Sequence, residues 1–480
     1  MKQRDLPLAD HKLSRSLSLT QATAINMIDM VGIGPFVVLS TIVSIMGGPW
    51  SIAAWLVGAL LAYADGCVWA ELGARWPQAG GSYIFLQKIF PGKGGRMMSF
   101  LFIWQTVIQA PLVVASAAIG FALYLQYIVD LHGIGAYMFG AFDMDFGKLG
   151  HFRDADLGPK MVSGTLVVLM VWLLYRNIQS IGKISVLLWC ITGGTLIWLI
   201  LSGIPHFNAA RAFPAEMPEK PIQFFFSAML GQASLKAVYS YLGYYNVCHI
   251  GAEIKSPERN IPRAIFISIT GIAILYLLMQ TMVLGNLPSQ VIAKSDFVVS
   301  LYFEQIYNHG TALFATGLVL CIALASLFSV LLGYSRIPYA AAMDGLFFPV
   351  FGRVHPKHRI PHISLLTLGG LGFLFSLLFK MGDVITAIIV MRIIIQFMSQ
   401  AVGVIAWHRR TDERPWRMPL FPLPAILSIL IWLAIFFSSK MKFIVFAGGI
   451  IGAGLLLYLI IPFGRPANIE SLESKDDHIV

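Results

Sequence analysis

The stretch MVGIGPF, at residues 30–36, interrupts a long apolar run with two glycines and a proline. Glycine destabilises a helix interior by about 1 kcal/mol and proline by about 3 kcal/mol. Proline does so because it lacks a backbone donor and clashes with the preceding turn. A helix that breaks inside a membrane exposes backbone groups that lipid cannot satisfy, so a break is tolerated where it lines a polar space. The stretch therefore predicts a broken membrane helix with a binding site at the break.

The composition of the chain indicates a membrane protein. Of its 480 residues, 57% are hydrophobic and 12% are charged, and the mean hydropathy is +0.74. A soluble domain carries about twice that charged fraction. Residues 1–19 are polar and the first apolar run is long enough to span, so we expect no cleavable signal peptide. The four cysteines lie in apolar runs without a CxxC spacing, which predicts neither a disulfide framework nor a metal site.

Twelve apolar runs are candidates to cross the hydrocarbon layer, which is about 30 Å thick. The fourth run is short. We number them spans 1 to 12, and they lie at residues 20–46, 50–74, 97–128, 161–176, 184–203, 223–251, 264–285, 310–335, 363–380, 384–407, 422–439 and 443–463.

The positions of lysine and arginine predict the orientation of these spans. With the N-terminus inside, the cytoplasmic segments hold 23 of the 34 Lys and Arg residues, whereas the outer loop at 129–160 carries five aspartates. We therefore expect a multi-pass protein of the plasma or cytoplasmic membrane with both termini in the cytoplasm. The net charge of +10 is then a topology signal, and no basic cluster predicts a nucleic-acid partner.

Span 6 carries a second interruption, YSYLGYYN, at residues 239–246. Tyrosine hydroxyls, an asparagine and a glycine are costly at this depth unless they line a polar space. Spans 1 and 6 are the first members of two five-helix halves. Interruptions at corresponding positions of two halves are typical of transporters built from inverted repeats.

Five motifs, in order along the chain, resemble those of the amino acid–polyamine–organocation permeases. They begin with GIGPF at 32–36 in span 1 and cover most of the chain. The others follow spans 2, 6 and 8 and precede span 11, and they read WAELGARWPQAGGSYIFLQ at 69–87, GAEIKSPERNIPRAI at 251–265, YSRIPYAAAMDGLFFPVFGRVHPKHRIP at 334–361 and RPWRMPLFPLP at 414–424.

The resemblance implies an all-α polytopic membrane protein of about 12 transmembrane helices. It implies a leucine-transporter-like five-plus-five inverted repeat with helices 1 and 6 broken and two C-terminal helices added. The implied parts are a cytoplasmic tail, a first repeat, a second repeat, two accessory helices and a second cytoplasmic tail, at residues 1–19, 20–203, 223–407, 422–463 and 464–480.

The two breaks together predict the substrate site. A half-helix presents unpaired amides at its N-terminus and unpaired carbonyls at its C-terminus, which favour a carboxylate and an ammonium group respectively. The resemblance implies that the substrate carboxylate binds the amides of Ile33 and Gly34. It implies that the amino group binds carbonyls of the second break, those of Tyr239, Ser240 and Leu242.

Three glycines belong to the same predicted site. Gly32 and Gly34 lack the Cβ that would block close approach of a ligand to the backbone. Gly243 lies in the second break. Pro35 offers no amide, so the predicted carboxylate site depends on the two residues before it.

Other polar residues receive more ordinary interpretations. Tyr239 aligns with the aromatic lid of the family, so we expect it to cover the substrate, and Glu253 is interpreted as part of an inner-gate ion pair. Glu71 is interpreted as helix-end architecture and His249 as an interior histidine, with a proton relay as its alternative role. Lys236 is expected to snorkel toward the outer surface.

Asp29 precedes the first break by one helical turn, so we expect its carboxylate to face the break. A charge at this depth is expensive unless it is paired, hydrated or neutralised. Four hypotheses stay open: Asp29 binds a proton, recognises a cationic substrate, pairs with Arg392 in span 10, or has a water-bridged structural role.

Coupling is open among exchange, proton coupling and sodium coupling, with H+ or Na+ as the coupling ion and no other cofactor or metal. Proton-coupled members of the family carry a lysine in helix 5, and Thr192 aligns with it here. Ser326 and Ser329 of span 8 supply the hydroxyls that a sodium site requires.

The main functional hypothesis is a secondary transporter that moves amino acids across the bilayer by alternating access. A transporter of polyamines or other organic cations is the alternative, because Asp29 places a negative charge beside the site. A non-transporting membrane sensor is the third reading. No pair of nucleophile and base predicts an enzyme, so we assign no catalytic residue. The expected partners are a small-molecule substrate and the lipid bilayer, and a protein subunit is left unspecified.

Overall fold

The structure is a computed structural model of the chain. It describes residues 15–78, 80–90, 92–134, 144–145, 151–152, 154–176, 181–213, 220–225, 227–355, 360–408 and 415–461. Apart from turns and connecting segments these residues are mostly helical, with one antiparallel pair of two-residue strands, Met144–Asp145 and His151–Phe152, and an isolated bridge between Leu17 and Ile254. Among them, seven helices are long and apolar enough to cross a membrane, and a bent pair in span 1 makes an eighth. The protein is therefore an all-α, polytopic membrane protein.

Each of the twelve apolar runs corresponds to one helix, to a helix pair or, in span 10, to three consecutive helical segments. Span 1 comprises Leu19–Met30 and Gly34–Met46, and span 6 comprises Ala228–Tyr241 and Asn246–His249. Spans 2 to 5 are Ser51–Arg75, Lys93–Leu125, Asp154–Arg176 and Ile181–Gly203. Spans 7 to 9 are Pro257–Asn286, His309–Tyr334 and His362–Leu378. Span 10 is Met381–Arg392, a π-helical segment Ile393–Met398 and Ser399–His408, and spans 11 and 12 are Leu423–Ser438 and Met441–Ile460.

Short helices lie between the spans. The α-helical ones are Ser82–Ile89, Ala209–Ala212, Pro221–Phe225, Ser289–Lys294, Val298–Ile306 and Arg336–Met343. Three further segments form single 3-10 turns, at Ile204–His206, Gly251–Glu253 and Pro349–Gly352.

The structure corrects several predicted boundaries. Span 4 was predicted to be short, but its helix has 23 residues, and the helix of span 7 has 30. Hydropathy locates the apolar crossing, whereas a helix continues into polar residues until a cap or a turn ends it. Span 6 is shorter than predicted at its start, because Ser227 caps the helix there by accepting a hydrogen bond from the Leu230 amide at 3.2 Å.

The packing of the spans agrees with the predicted inverted repeat. Spans 1, 2, 3 and 4 each contact their equivalents, spans 6, 7, 8 and 9. The contact between spans 1 and 7 is matched by one between spans 2 and 6. An axis that exchanges span n with span n+5 requires this reciprocity. The boundaries of the two repeats stay a prediction.

A buried carboxylate connects the accessory span 11 to this packing. The Asp65 side chain of span 2 is fully buried. It accepts hydrogen bonds from Trp69 Nε1 at 2.8 Å and from the Tyr244 hydroxyl at 2.5 Å. On span 11, Ser428 Oγ lies at 2.9 Å and Trp432 Nε1 at 3.4 Å. Asp65 therefore joins spans 2, 6 and 11 at one point.

Candidate functional site

The two helix breaks lie against each other. Span 1 bends by 48° between its two helices. Gly243, in the break of span 6, has φ 122°, a conformation that side-chain-bearing residues rarely adopt. A Cβ on Gly243 would lie 2.8 Å from the Asp29 carbonyl carbon and 2.8 Å from the Met30 amide nitrogen. Glycine is therefore what allows the second break to contact the backbone of the first.

Asn26 satisfies backbone groups that the break in span 6 leaves free. Its side-chain oxygen accepts from the Val247 amide at 2.8 Å, and its side-chain nitrogen donates to the Tyr244 carbonyl at 2.6 Å. Asn26 is itself fully buried. The first half of span 1 thus holds the second half of span 6 by two hydrogen bonds.

A buried tyrosine of span 7 also lies within hydrogen-bond distance of backbone groups at both breaks. The Tyr276 hydroxyl lies 2.8 Å from the Met30 carbonyl oxygen and 3.2 Å from the Ser240 carbonyl oxygen, and it has a proton to donate to either. Sequence reasoning missed both Asn26 and Tyr276. Neither lies in a motif, and only their surroundings distinguish them from other polar residues on apolar helices.

A cavity of about 530 Å³ opens at the breaks. Its walls come from spans 1, 3, 6, 8 and 10 and from the segments around Gly80 and Tyr83 and around Ile337. In the predicted topology those two segments lie at the cytoplasmic ends of spans 2 and 8. The cavity therefore extends from the middle of the protein toward the side predicted to be cytoplasmic.

The start of helix Gly34–Met46 forms one wall of the cavity. The amides of Gly32, Ile33 and Gly34 donate to no other group in the described part of the chain. Pro35 lies in the first turn of this helix, where a missing amide costs no intrahelical bond. Pro35 is therefore compatible with the start of the second half of span 1. Gly32, Ile33 and Gly34 line the cavity, and their role in binding a carboxylate stays a prediction.

The two glycines of this wall also make room for side chains. A Cβ on Gly32 would lie 2.8 Å from Ser326 Oγ, and one on Gly34 would lie 2.9 Å from Tyr239 Cε1. The sequence suggested close approach of a ligand as the reason for these glycines. Packing against spans 6 and 8 is a second reason that only the structure reveals.

The three carbonyls predicted to bind the ammonium group differ in whether they already accept a hydrogen bond. The Tyr239 carbonyl accepts from the Leu242 amide at 3.4 Å, and the Ser240 carbonyl lies beside the Tyr276 hydroxyl. The Leu242 carbonyl accepts no hydrogen bond from the residues that the structure describes. A carbonyl oxygen has two lone pairs, so all three keep some accepting capacity. In addition, the buried Ser240 hydroxyl has no hydrogen-bond partner among described residues.

Tyr239 connects span 6 to span 3 across the cavity. Its ring lies against Gly34, and its hydroxyl lies 2.7 Å from Ser116 Oγ. In the predicted topology Tyr239 lies on the outer side of the break in span 6, and its role as a lid stays a prediction.

The structure does not pair Asp29 with Arg392. Asp29 lines the cavity and accepts a hydrogen bond from Asn246 Nδ2. The terminal nitrogens of Arg392 donate instead to the Tyr245 hydroxyl at 2.6 Å and the Tyr334 hydroxyl at 2.7 Å. The hypothesis of an ion pair is therefore wrong, because each of the two side chains has its own neutral partners.

Of the three hydroxyl residues predicted to take part in coupling, two line the cavity and one does not. Ser326 and Ser329 line the cavity, whereas Thr192 is buried on span 5 and does not. His249 also lines the cavity.

The predicted inner-gate residue does not line the cavity. Glu253 lies in the 3-10 turn after span 6. Its carbonyl accepts from the Leu17 amide at 2.9 Å. Its carboxylate forms no ion pair with any described residue.

Two further charged residues bind backbone groups of neighbouring segments. Lys236 is buried and does not snorkel, since its ammonium donates to the Gly382 carbonyl at 2.5 Å and to Thr386 Oγ1 at 2.8 Å. The ammonium group of Lys236 was expected to reach the outer surface, but it finds its hydrogen-bond acceptors on span 10 instead. Glu71 accepts from the Met418 amide at 3.2 Å, in the segment that precedes span 11.

Comparison with known proteins places the chain in a family. The family model described as "Amino acid permease" matches residues 17–463. The chain is 28% identical to cationic amino acid transporter 4 of Mus musculus over 76% of the chain and 55% of the relative. The match thus spans about half of the length of that relative. It is 24% identical to the branched-chain amino acid permease BcaP of Bacillus subtilis (strain 168), over 95% of the chain and 93% of the relative. It is 23% identical to the serine/threonine exchanger SteT of the same organism, over 88% of the chain and 90% of the relative. With the family model matching almost from end to end, this chain belongs to the amino acid permease family.

Proposed function

We propose that the protein is a secondary transporter that moves amino acids across the membrane by alternating access. The observation that carries the proposal is the contact between two broken helices beside a cavity in the membrane-spanning region. The names of the relatives, which are permeases and exchangers of amino acids, support the same substrate class.

The proposed site binds both charged groups of an amino acid. The α-carboxylate lies at the amides of Gly32, Ile33 and Gly34, where the partial positive charge of a helix N-terminus favours an anion. The ammonium group lies at the C-terminal end of helix Ala228–Tyr241, near the carbonyl of Leu242 and the hydroxyl of Ser240. Because the breaks are in contact, the two subsites are adjacent, as the two groups of an α-amino acid require.

The proposed transport cycle uses the closed and open ends of the cavity. In this structure the cavity extends toward the predicted cytoplasmic side, and the Tyr239 hydroxyl is hydrogen-bonded to Ser116. We infer that Tyr239 closes the outer end of the cavity. Opening the outer end requires Tyr239 to leave Ser116. Closing the inner end requires the cytoplasmic ends of the cavity-lining helices to approach one another.

We assign coupling to protons, through Asp29. It is the one carboxylate among the described cavity-lining residues, and its partner there is the neutral Asn246. A carboxylate in this position is neutralised at least cost by a proton. Exchange and sodium coupling are the competing modes, and the pH dependence of uptake distinguishes them.

The transport of polyamines is less well supported than that of amino acids. Asp29 favours a cation, but Arg392 lines the same cavity with a permanent positive charge. A polycation long enough to fill the cavity would meet that charge.

The proposal is tested with the purified full-length protein. Its thermal stability is measured with each of the twenty amino acids and with putrescine, spermidine and spermine, because a ligand of the folded state raises apparent stability with its concentration. Labelled forms of the stabilising ligands are then offered to proteoliposomes. Stabilisation and uptake of at least one amino acid are expected, and stabilisation by polyamines alone would overturn the proposal.

A further inference from the structure

Arg392 is a buried cation that has no anionic partner among the residues that the structure describes. It ends helix Met381–Arg392, just before the π-helical segment of span 10, and 5% of its surface is exposed. Its two terminal nitrogens donate to tyrosine hydroxyls, and its Nε has no partner in the described part of the chain. The guanidinium also lies 5.8 Å from the centre of the Tyr245 ring.

The hydrogen bonds of Arg392 leave its charge uncompensated. An arginine cannot lose its proton in a protein, and a buried charge without a counter-charge is strongly destabilising. Tyrosine hydroxyls satisfy donors, but they contribute no net negative charge. Asp29, the carboxylate on the cavity wall, is hydrogen-bonded to Asn246 and forms no ion pair with Arg392. A charge that the fold does not neutralise is therefore available to a ligand.

A second unsatisfied side chain lies one turn further along span 10. Gln396 is buried and lines the same cavity, and neither its side-chain nitrogen nor its side-chain oxygen has a partner among the described residues. The π-helical segment Ile393–Met398 contains Gln396 and follows Arg392 directly. Short π-helical segments are common at functional sites. A guanidinium and a carboxamide nitrogen on one wall match the two oxygens of a carboxylate.

We propose that Arg392 and Gln396 bind the side-chain carboxylate of the substrate, which makes the substrate an acidic, dicarboxylic amino acid. This inference rests on the proposed function, in which the α-carboxylate is already held at the start of helix Gly34–Met46. Arg392 then supplies a second anionic subsite on the wall formed by span 10. Glutamate and aspartate have the required chemistry, and their neutral amides lack the charge that Arg392 recognises.

A purely structural role for Arg392 makes a different prediction. If Arg392 only joined span 10 to the tyrosines of spans 6 and 8 by hydrogen bonds, its loss would lower the stability of the protein. It would not change the relative affinity for an acidic amino acid and its amide. The ratio of glutamate affinity to glutamine affinity separates these two roles, because the two amino acids differ in little besides the charge.

The test uses the full-length protein in lipid nanodiscs and measures binding of labelled L-glutamate in competition with L-glutamine, L-aspartate and L-asparagine. We expect the wild type to bind each acid at least tenfold more tightly than its amide. Arg392→Met should abolish that preference and retain glutamine binding, while Arg392→Lys should keep part of it. Lys236→Met is the matched control, since Lys236 is a buried cation outside the cavity wall, and it should leave the ratio unchanged.

Two outcomes overturn this inference while the proposed function stands. Equal or tighter binding of the amides by the wild type excludes an anionic subsite and leaves the proposed function standing. An unchanged preference in Arg392→Met assigns that subsite to other residues. If Arg392→Met does not fold, the wild-type ratio and Arg392→Lys still decide the matter. If the wild type binds no amino acid at all, the proposed function fails and this inference with it.

Discussion

Asp29 and Asp65 are two carboxylates on membrane-spanning helices with opposite surroundings. Asp65 is fully buried and accepts hydrogen bonds from Trp69, Tyr244 and Ser428 and a longer one from Trp432. Asp29 is partly exposed to the cavity and has Asn246 as its partner. Carboxylates that accept several hydrogen bonds in a buried network serve stability, whereas a sparsely bonded one on a cavity wall is free to exchange a proton.

Asp29→Asn is expected to flatten the dependence of uptake on external pH, because it removes the group that binds the proton, while exchange at a fixed pH continues. Uptake by proteoliposomes is compared at one acidic and one alkaline pH. Asp65→Asn is the control, and it should lower the melting temperature while leaving the pH dependence in place. An intact pH dependence in Asp29→Asn would remove this residue from coupling.

Gly34→Leu is expected to abolish substrate binding, since the new side chain collides with Tyr239 and occupies the approach to the amides. The protein should still insert into the membrane. Gly449→Leu in span 12 controls for leucine in a helix, because no atom lies within 4 Å of a Cβ there. Binding is measured by thermal shift with the amino acid that stabilises the wild type. Normal binding by Gly34→Leu would place the site elsewhere.

Broken helices depend on neighbouring elements for the hydrogen bonds that they lack. The second half of span 6 is the four-residue helix Asn246–His249, which is too short to be stable alone. Asn26 of span 1 binds its start, and the Leu17 amide and carbonyl pair with Glu253 and Lys255 just beyond its end. The inner parts of spans 1 and 6 are therefore joined along their length, and we expect them to move together.

Asn26→Ala is expected to destabilise this joined unit. It leaves the Val247 amide and the Tyr244 carbonyl without their partner, at about 1–3 kcal/mol for each buried group. The melting temperature and the uptake rate should both fall. Asn260→Ala, which removes a hydrogen bond from a near-surface asparagine to the Lys255 carbonyl, should change neither by a comparable amount. Equal effects of the two substitutions would contradict the special role of Asn26.

The ring of Tyr239 lies between helices of spans 1 and 3. Tyr239→Ala is expected to reduce uptake more than Tyr239→Phe, because covering the substrate needs the ring. Ser116→Ala should resemble Tyr239→Phe, since each removes one end of the same 2.7 Å hydrogen bond. Initial uptake rates of the three variants test this. If phenylalanine is as damaging as alanine, the hydroxyl is the important group.

The whole molecule has an orientation that the charge distribution predicts. Lys93, the first residue of the span 3 helix, should face the cytoplasm, and Gly310, at the start of span 8, should face outside. Both residues are exposed in the structure. In a cysteine-free background, an impermeant thiol reagent added to intact cells should label Gly310→Cys at once and Lys93→Cys only after permeabilisation. The reverse pattern would invert the topology and make Tyr239 an inner gate.

The sequence by itself determined the class of protein and the location of both breaks. Apolar runs long enough to cross a bilayer persist whatever packs against them, so composition and length were sufficient for the polytopic fold. Gly32, Gly34, Pro35 and Gly243 disrupt a helix through their own covalent structure, which makes the breaks a local property of the chain. The resemblance to the family motifs also implies two five-helix halves, whose boundaries stay a prediction.

Only the tertiary structure decided which polar groups face one another. The separation of Asp29 and Arg392 along the chain does not predict their distance in space, so the sequence could not test their pairing. In the structure Asp29 is hydrogen-bonded to Asn246 instead, and Arg392 to Tyr245 and Tyr334. Asn26 and Tyr276 bind backbone atoms, which every residue has, and no sequence pattern marks such a partner. The unpartnered guanidinium of Arg392 is likewise a fact about its surroundings. Helix breaks come from local chemistry, but the charge balance of a cavity depends on which side chains the packing of distant helices brings together.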